Sequence, residues 1–346
     1  MDAKDDKYHQ RCLELAQKGL GLVAPNPLVG ALLVSGDKII GEGYHAIFGG
    51  PHAEVNAINS VTDKSLLKSA TLYVNLEPCA HFGKTPPCAD LIIENNIPQV
   101  VIGQKDPYVE VAGKGIDRLK SAGIDVKVGF LENECKFLNR RFLTFHEKNR
   151  PYVILKWAET SDGFIDDERK PGLSRPAWIA GELARPLVHK WRSEEQAILV
   201  GTNTALLDNP MLNVRDWSGK NPIRMVIDRT LRLPKNLNLF DKSQATIIFT
   251  EKSHENETNL EYYKIDFNRI INDIFRSCYS RKIQSIIVEG GAQLLNTFIQ
   301  SGNWDEARVF KSNIYFGKGV KAPLFSSIPD AQSRIESAVL FTYYKK

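Results

Sequence analysis

Two stretches set the reading: Gly49-Gly50-Pro51-His52-Ala53-Glu54, and Glu77-Pro78-Cys79-Ala80-His81-Phe82-Gly83-Lys84-Thr85-Pro86-Pro87-Cys88. His52, Cys79 and Cys88 offer one imidazole and two thiolates. Three protein ligands are what a catalytic zinc takes while keeping a fourth position for water. His52 follows a Gly-Gly-Pro turn and opens an expected helix, and Cys88 follows Pro86-Pro87 and opens another. The amides and dipole of a helix start favour a thiolate. Glu54, two residues beyond His52, can sit in the same pocket without ligating the metal. There it would take a proton from water and deliver it to a leaving amine. A purely structural zinc would need a fourth ligand, for which His81 is available.

Outward from this segment, strand and helix patterns alternate. Residues 7–18 read as an amphipathic helix. Residues 28–34 are a short apolar run that Ser35-Gly36-Asp37 turns back through Ile39-Ile40-Gly41, a hairpin. Helices are expected at 52–60, 88–96 and 114–122, and strands at 71–75, 99–103 and 125–129. A further helix covers 131–147 and ends in the polar run Glu147 to Pro151. Such alternation implies a sheet with parallel strands, covered by helices on both faces. The pattern restarts with a strand at 152–157, further strands at 197–200, 223–227, 245–249 and 284–288, and a helix at 184–192 with Pro186 in its first turn. The stretch 251–261 reads as an exposed loop. Two domains follow, 1–147 and 148–346.

Length and composition agree. At roughly 150 residues per domain, 346 residues make two domains. With 42% apolar and 25% charged residues, the chain is neither disordered nor a disulfide scaffold. Residues 1–150 balance in charge, so the net +4 lies wholly in the second half. No clustered basic-aromatic face marks a nucleic-acid binder. No apolar run reaches membrane-spanning length, and the acidic start is not a signal peptide. A cytoplasmic protein is expected. Cys12, Cys135 and Cys278 lack ligand context and read as packing residues.

In the second half, Ile286-Ile287-Val288-Glu289-Gly290-Gly291-Ala292 runs from a strand through two glycines into a helix. Glycines admit close backbone approach, and a helix N-terminus attracts phosphate. No Gly-x-Gly-x-x-Gly is present, so a Rossmann cofactor site is not indicated. Locally, the Gly-Gly pair is equally a tight strand-to-helix turn.

His-x-Glu followed by Pro-Cys is the signature of zinc deaminases. The longer run from Glu77 to Cys88, with eight residues between the cysteines, resembles the deaminase half of the bifunctional RibD family of riboflavin biosynthesis. So do Asn26-Pro27-Leu28-Val29-Gly30 and Gly43-Tyr44-His45. The resemblance implies a cytidine-deaminase-like three-layer αβα domain with a mixed sheet and one Zn2+. Its substrate is a diaminopyrimidinone bearing a ribosylamino 5′-phosphate, contacted by Asn26, His45, Glu54, Lys84 and Thr85. The chemistry suits: a cation and a hydroxyl for phosphate, and an amide for a pyrimidinone edge. Asn26 is equally a turn residue before Pro27, and Lys84 a solvated loop charge.

The second half is similar to the same family's reductase, a dihydrofolate-reductase-like α/β domain that uses NADPH. The matching residues are Lys156-Trp157-Ala158, Ser161-Asp162-Gly163, Trp178-Ile179, Gly201 with Thr204 and Asp208-Asn209-Pro210, and Leu212 to Arg215. The resemblance puts cofactor contacts on Ala158, Trp178, Thr204, Asp208, Gly291, Ala292, Gln293, Leu294, Leu295, Asn296 and Thr297. It puts substrate contacts on Arg192, Leu212, Arg215 and Glu289. Guanidinium forks suit a ribose phosphate. The chain departs from the family in having Pro176-Ala177 before Trp178, where a serine is usual, and Arg229 after Asp228, where a small residue is common. Arg229 would either meet the cofactor's 2′-phosphate or point outward. Lys156, Asp162, Glu289 and water are the candidate proton donors. Phosphorylated ribosylaminopyrimidines are the expected ligands, and a homodimer or higher homo-oligomer the expected assembly. One rival is a nucleic-acid base deaminase with an RNA-binding second domain. A non-catalytic zinc protein and a deaminase that has lost its reductase are the others.

Overall fold

A computed structural model describes residues 3–80, 86–107, 112–168 and 178–345. His81, Lys84, Thr85, Pro176 and Ala177 lie outside the described residues. The chain divides into two compact units, Met1–Asn149 and Arg150–Lys346.

The first unit contains strands β1 (Gly30–Ser35), β2 (Lys38–Tyr44), β3 (Ala70–Leu76), β4 (Gln99–Gln104) and β5 (Asp125–Val128). They form one sheet in the order β2-β1-β3-β4-β5. β1 runs antiparallel to β2 and β3, whereas β3, β4 and β5 are parallel, so the sheet is mixed. Side chains alternate between two cores, as the two-residue period of a strand requires. Leu33, Leu72, Val74, Val100 and Ile102 face one way, packing with helices α2 (Ala53–Ser60), α3 (Cys88–Glu94) and α4 (Lys114–Ser121). Leu32, Val34, Tyr73 and Val101 face the other way, against Tyr8 and Cys12 of α1 (Ala3–Gln17). The result is three layers, αβα.

Gly43 explains how α2 reaches its place. A Cβ there would fall 2.3 Å from the amide nitrogen of Ala57. Without one, the helix lies directly on β2, which fixes His52 and Glu54 at its start. The helix expected over 131–147 is two, α5 (Glu132–Leu138) and α6 (Arg140–Lys148). The break falls at Asn139, whose buried amide is turned to the Leu28 backbone. It accepts from the Leu28 N–H at 2.8 Å and donates to the Leu28 carbonyl at 3.0 Å.

Among the described residues, the main sheet of the second unit has nine strands: β6 (Tyr152–Glu159), β8 (Ala197–Val200), β9 (Ile223–Ile227), β10 (Thr246–Thr250), β11 (Leu260–Lys264), β12 (Ser285–Val288), β13 (Glu306–Ser312), β15 (Ala331–Ile335) and β16 (Ala338–Tyr344). Their order is β11-β10-β9-β8-β12-β6-β13-β16-β15. All neighbours are parallel up to β13, and the last two strands add antiparallel. A separate two-stranded pair joins β7 (Phe164–Asp166) to β14 (Val320–Lys321). The helices are α7 (Ala184–Glu194), α8 (Thr202–Asp208), α9 (Ile270–Ser280) and α10 (Ala292–Ser301). Pro186 sits in the first turn of α7, where no intrahelical donor is lost. The expected loop 251–261 is exposed from Lys252 through Asn259, and β11 begins at Leu260. Among the described residues no helix is long and apolar enough to cross a membrane.

Candidate active sites

In the first unit, His52 caps α2 and Cys88 opens α3, while Cys79 follows the end of β3. The structure brings their ligand atoms within 4.8 Å of one another. Nδ1 of His52 lies 3.3 Å from Sγ of Cys88 and 3.6 Å from Sγ of Cys79. Zinc bonds of roughly 2.0 Å to nitrogen and 2.3 Å to sulfur, at tetrahedral angles, set such atoms about 3.5 Å apart. The donor set therefore fits a tetrahedral zinc with one open position.

The Cys79 thiol is held below its usual pKa. It accepts hydrogen bonds from the Cys88 thiol, from His52 and from the Cys88 backbone N–H at 3.3 Å. The Cys88 thiol is correspondingly pushed up by bonding to Cys79 and by burial. One proton is thus shared where a cation would replace it. Glu54 is 3% exposed. Burial, and then the nearby Cys79, push its carboxyl up to about 7. That suits a group that must both take and give a proton at neutral pH.

His45 and Asn26 stand beside this centre. The His45 ring meets the His52 ring edge-on at 5.5 Å. His45 Nδ1 donates to the Pro51 carbonyl at 2.9 Å, leaving Nε2 to accept from the Asn26 amide at 3.1 Å. Asn26 is thereby oriented with its carbonyl oxygen spare. Three further side chains carry this geometry, and no motif in the sequence gives them a role. Asn75 and Asn139, both buried, each donate to the Leu28 carbonyl and anchor the segment after Asn26. Glu77 accepts four backbone N–H bonds, from Asp106, Gly113, Gly115 and Ile116, at 3.0–3.2 Å. It thus ties the β3 end, and Cys79 with it, to the start of α4. A charged residue closing an apolar strand was the available signal.

In the second unit, a cavity of about 710 Å³ opens at the carboxyl ends of β6, β8, β9 and β12. Parallel sheets bind ligands in this crevice. Of the expected cofactor contacts, Ala158, Thr204, Asp208, Gly291, Ala292, Gln293, Leu294, Leu295 and Thr297 line it. Gly290 and Gly291 have φ of 145° and 74°, a backbone that side chains resist. They bring the start of α10 into the cavity wall beside Thr204. Trp178 and Asn296 are not in the lining. Trp178 is 56% exposed, with the Arg185 guanidinium 5.4 Å above its ring. The Asn296 side chain instead accepts from the Leu324 N–H at 3.2 Å.

Glu289 lines the cavity and receives the Arg192 guanidinium, with Lys156 4.0 Å away. Burial alone would raise the Glu289 pKa, but Arg192 and Lys156 outweigh it and hold it at about 2. Burial also pulls the Lys156 ammonium below its usual pKa. Leu212 is buried, and Arg215 lies beside Arg192 through Asn213, which accepts from both. Asp162 is outside the lining, accepting from Thr160 and the Phe316 and Gly317 amides. Arg229 lines the cavity with its head group paired to Glu251 at 2.9 Å. Cys12, Cys135 and Cys278 are buried and unbridged.

Comparison with known proteins gives two matching families. The cytidine and deoxycytidylate deaminase zinc-binding region matches residues 2–104, and the RibD C-terminal domain matches residues 151–343. The riboflavin biosynthesis protein RibD of Aquifex aeolicus is 39% identical over 324 residues, covering 91% of this chain and 89% of that protein. That of Bacillus amyloliquefaciens is 40% identical over 339 residues, covering 95% and 90%. A solved Thermotoga maritima structure, a diaminohydroxyphosphoribosylaminopyrimidine deaminase/5-amino-6-(5-phosphoribosylamino)uracil reductase, superposes with a TM-score of 0.89 at 40% identity, covering 98% of each chain. Acinetobacter baumannii RibD gives 0.88 at 30% identity, covering 99% of this chain and 98% of its own.

Proposed function

The chain belongs to the RibD family of bifunctional deaminase–reductases of riboflavin biosynthesis, and from that we propose how its two units divide the work. Residues 1–147 deaminate the diaminopyrimidinone ribosylamino 5′-phosphate, and residues 148–346 reduce the ribosyl group of the product to ribityl with NADPH. The observation that carries the reading is the nitrogen–sulfur cluster of His52, Cys79 and Cys88 beside the buried Glu54 carboxyl.

Zinc held by His52, Cys79 and Cys88 would supply Lewis acidity and make water acidic enough to attack at neutral pH. Glu54 takes the water proton and returns it to the leaving amino nitrogen, so that ammonia departs. Asn26, oriented by His45, accepts from the pyrimidinone edge. Lys84 and Thr85 complete this reading as the phosphate contacts.

In the reductase unit, NADPH would supply hydride to C1 of the opened ribose. The glycine turn and the start of α10 hold its phosphates, and Ala158, Thr204 and Asp208 line its path. Lys156, its proton loosened by burial, lines the cavity and is the donor this reading assigns to the ribose ring oxygen released on opening, and Glu289 stands 4.0 Å from it. Arg192 and Arg215 face the substrate.

A coupled assay tests this. The diaminopyrimidinone phosphate is supplied to zinc-loaded protein, and ammonia and NADPH absorbance at 340 nm are followed separately. Ammonia release followed by NADPH oxidation is expected. Folded protein that oxidises no NADPH with the deaminated substrate would overturn the bifunctional reading.

A further inference from the structure

Backbone pairing holds β1 on both sides, but the two sides end differently. Against β2 the ladder reaches Gly30–Tyr44 and runs one step further, where the His45 N–H donates to the Val29 carbonyl at 2.9 Å. Against β3 it stops at Ala31–Val74. Beyond that point two asparagine side chains take the place of a strand. Asn75 accepts from the Gly30 N–H at 2.8 Å and donates to the Leu28 carbonyl at 3.0 Å. Asn139, between α5 and α6, accepts from the Leu28 N–H at 2.8 Å and donates to the same carbonyl at 3.0 Å.

Both asparagines are buried, 0% and 2% exposed. A primary amide carries the same donor and acceptor as a peptide, so it closes a ladder where no backbone is at hand, and here two of them fill both lone pairs of the Leu28 carbonyl. Helix α1 lies against the same strand end: a Cβ on Gly30 would fall 2.1 Å from the Cys12 carbonyl oxygen. Residues 28–30 are therefore held from several sides. Asn26 stands two positions before Leu28. Pro27 has a fixed φ and biases Asn26 towards extended backbone, so a shift at Leu28 is carried to Asn26 rather than absorbed. The metal ligands His52, Cys79 and Cys88 lie on other segments, which makes zinc binding and the placing of Asn26 separable.

We propose that Asn75 and Asn139 are positioning residues of the deamination, which set the Asn26 amide against the pyrimidinone edge, and that α5 and α6 belong to the deaminase site through Asn139. This rests on the reading of Asn26 as a substrate contact. Asn139 lies beyond residues 2–104, the stretch that matches the zinc-binding region, so the metal motif does not by itself complete the site.

The test follows ammonia release by the full-length, zinc-loaded protein against the concentration of the diaminopyrimidinone phosphate. Asn139→Ala should raise KM roughly tenfold, near the upper end of what one neutral hydrogen bond contributes, and should lower kcat by less. Zinc should stay bound, and the reductase step with deaminated substrate should be unchanged. Asn26→Ala should raise KM by a similar factor. The decisive protein carries both substitutions. Its KM should match that of Asn26→Ala alone, because Asn139 acts through a contact already lost, whereas a merely structural role would multiply the two factors. Asn75→Ser, taken through the same cycle, should give the same pattern, and it carries the test if Asn139→Ala does not fold. Folded Asn139→Ala and Asn75→Ser proteins with the parent's KM, or factors that multiply in the double variants, would overturn the positioning role and leave Asn26 as a contact. An Asn26→Ala protein with the parent's KM would remove that contact, and the proposal with it.

Discussion

The Glu289 carboxylate takes both Nε and Nη2 of Arg192, at 3.0 and 2.6 Å, with the two side chains only 5% and 12% exposed, and Glu289 itself lines the second unit's cavity. A two-point pair of this kind fixes a charge in place more than it stabilises the fold, because both ions lose water. Its protonation behaviour is measurable. The Glu289 pKa is about 2 against an ordinary 4.5. The carboxylate's stabilisation is therefore complete above about pH 5 and is lost as pH falls through 4.5 towards 2. The shift corresponds to about 3 kcal/mol. Urea melts of the second unit between pH 7 and pH 3 should show this slope, and Glu289→Gln should flatten it. An unchanged slope in that variant would assign the acid sensitivity to other carboxylates.

Glu54→Gln should lower ammonia release by at least about 100-fold, the contribution of a positioned acid–base group. Zinc content, measured by atomic absorption, should stay at one per chain, since Glu54 is not among the three ligands. NADPH oxidation with pre-deaminated substrate should continue. Loss of zinc in the variant would make Glu54 a ligand and sink its role as proton carrier.

Metal removal separates the two units. Chelated protein, or Cys88→Ser, should release no ammonia, while the reductase step with deaminated substrate persists, because its cavity is lined wholly by residues of the second unit. Re-addition of Zn2+ should restore ammonia release to the chelated protein but not to Cys88→Ser.

Glu77→Ala should destabilise the first unit by about 3 kcal/mol, because buried N–H groups lose their acceptor. Four amides depend on this carboxylate. Zinc affinity should fall as well, since the segment leading to Cys79 loses its tie to α4. Glu77→Gln, which keeps one acceptor oxygen, should recover part of both. A Glu77→Ala protein as stable as the parent would show that water replaces the carboxylate.

Much of the molecule is written locally. The alternation of strands and helices, the hairpin at Gly36, the helix starts at His52 and Cys88 and the glycine turn before α10 all follow from short-range pattern and backbone chemistry. So does the ligand set: thiols and an imidazole bind metal wherever the fold unites them, and His52 and Cys88 sit at helix starts that the sequence marks. Other features depend on partners distant in the chain. Asn139 breaks a helix-forming run because its amide meets Leu28, 111 positions away. Strands β13, β15 and β16 complete a sheet whose parallel centre is set by burial, so their mixed composition carried a weak period-two signal. Whether the Arg229 head group turns to the cavity or outward is decided by Glu251, which takes it at 2.9 Å.

The sequence by itself determined the chemistry this protein can hold: three metal ligands with a carboxyl beside them, and a phosphate-compatible turn after an apolar strand. Only the tertiary structure decided how that chemistry is tuned. Burial raises Glu54 and loosens the Lys156 proton, and Arg192 and Lys156 overcome burial at Glu289. The reason is physical: residue types and short spacings are local properties, whereas desolvation and charge pairing depend on which distant groups share a few ångströms of space.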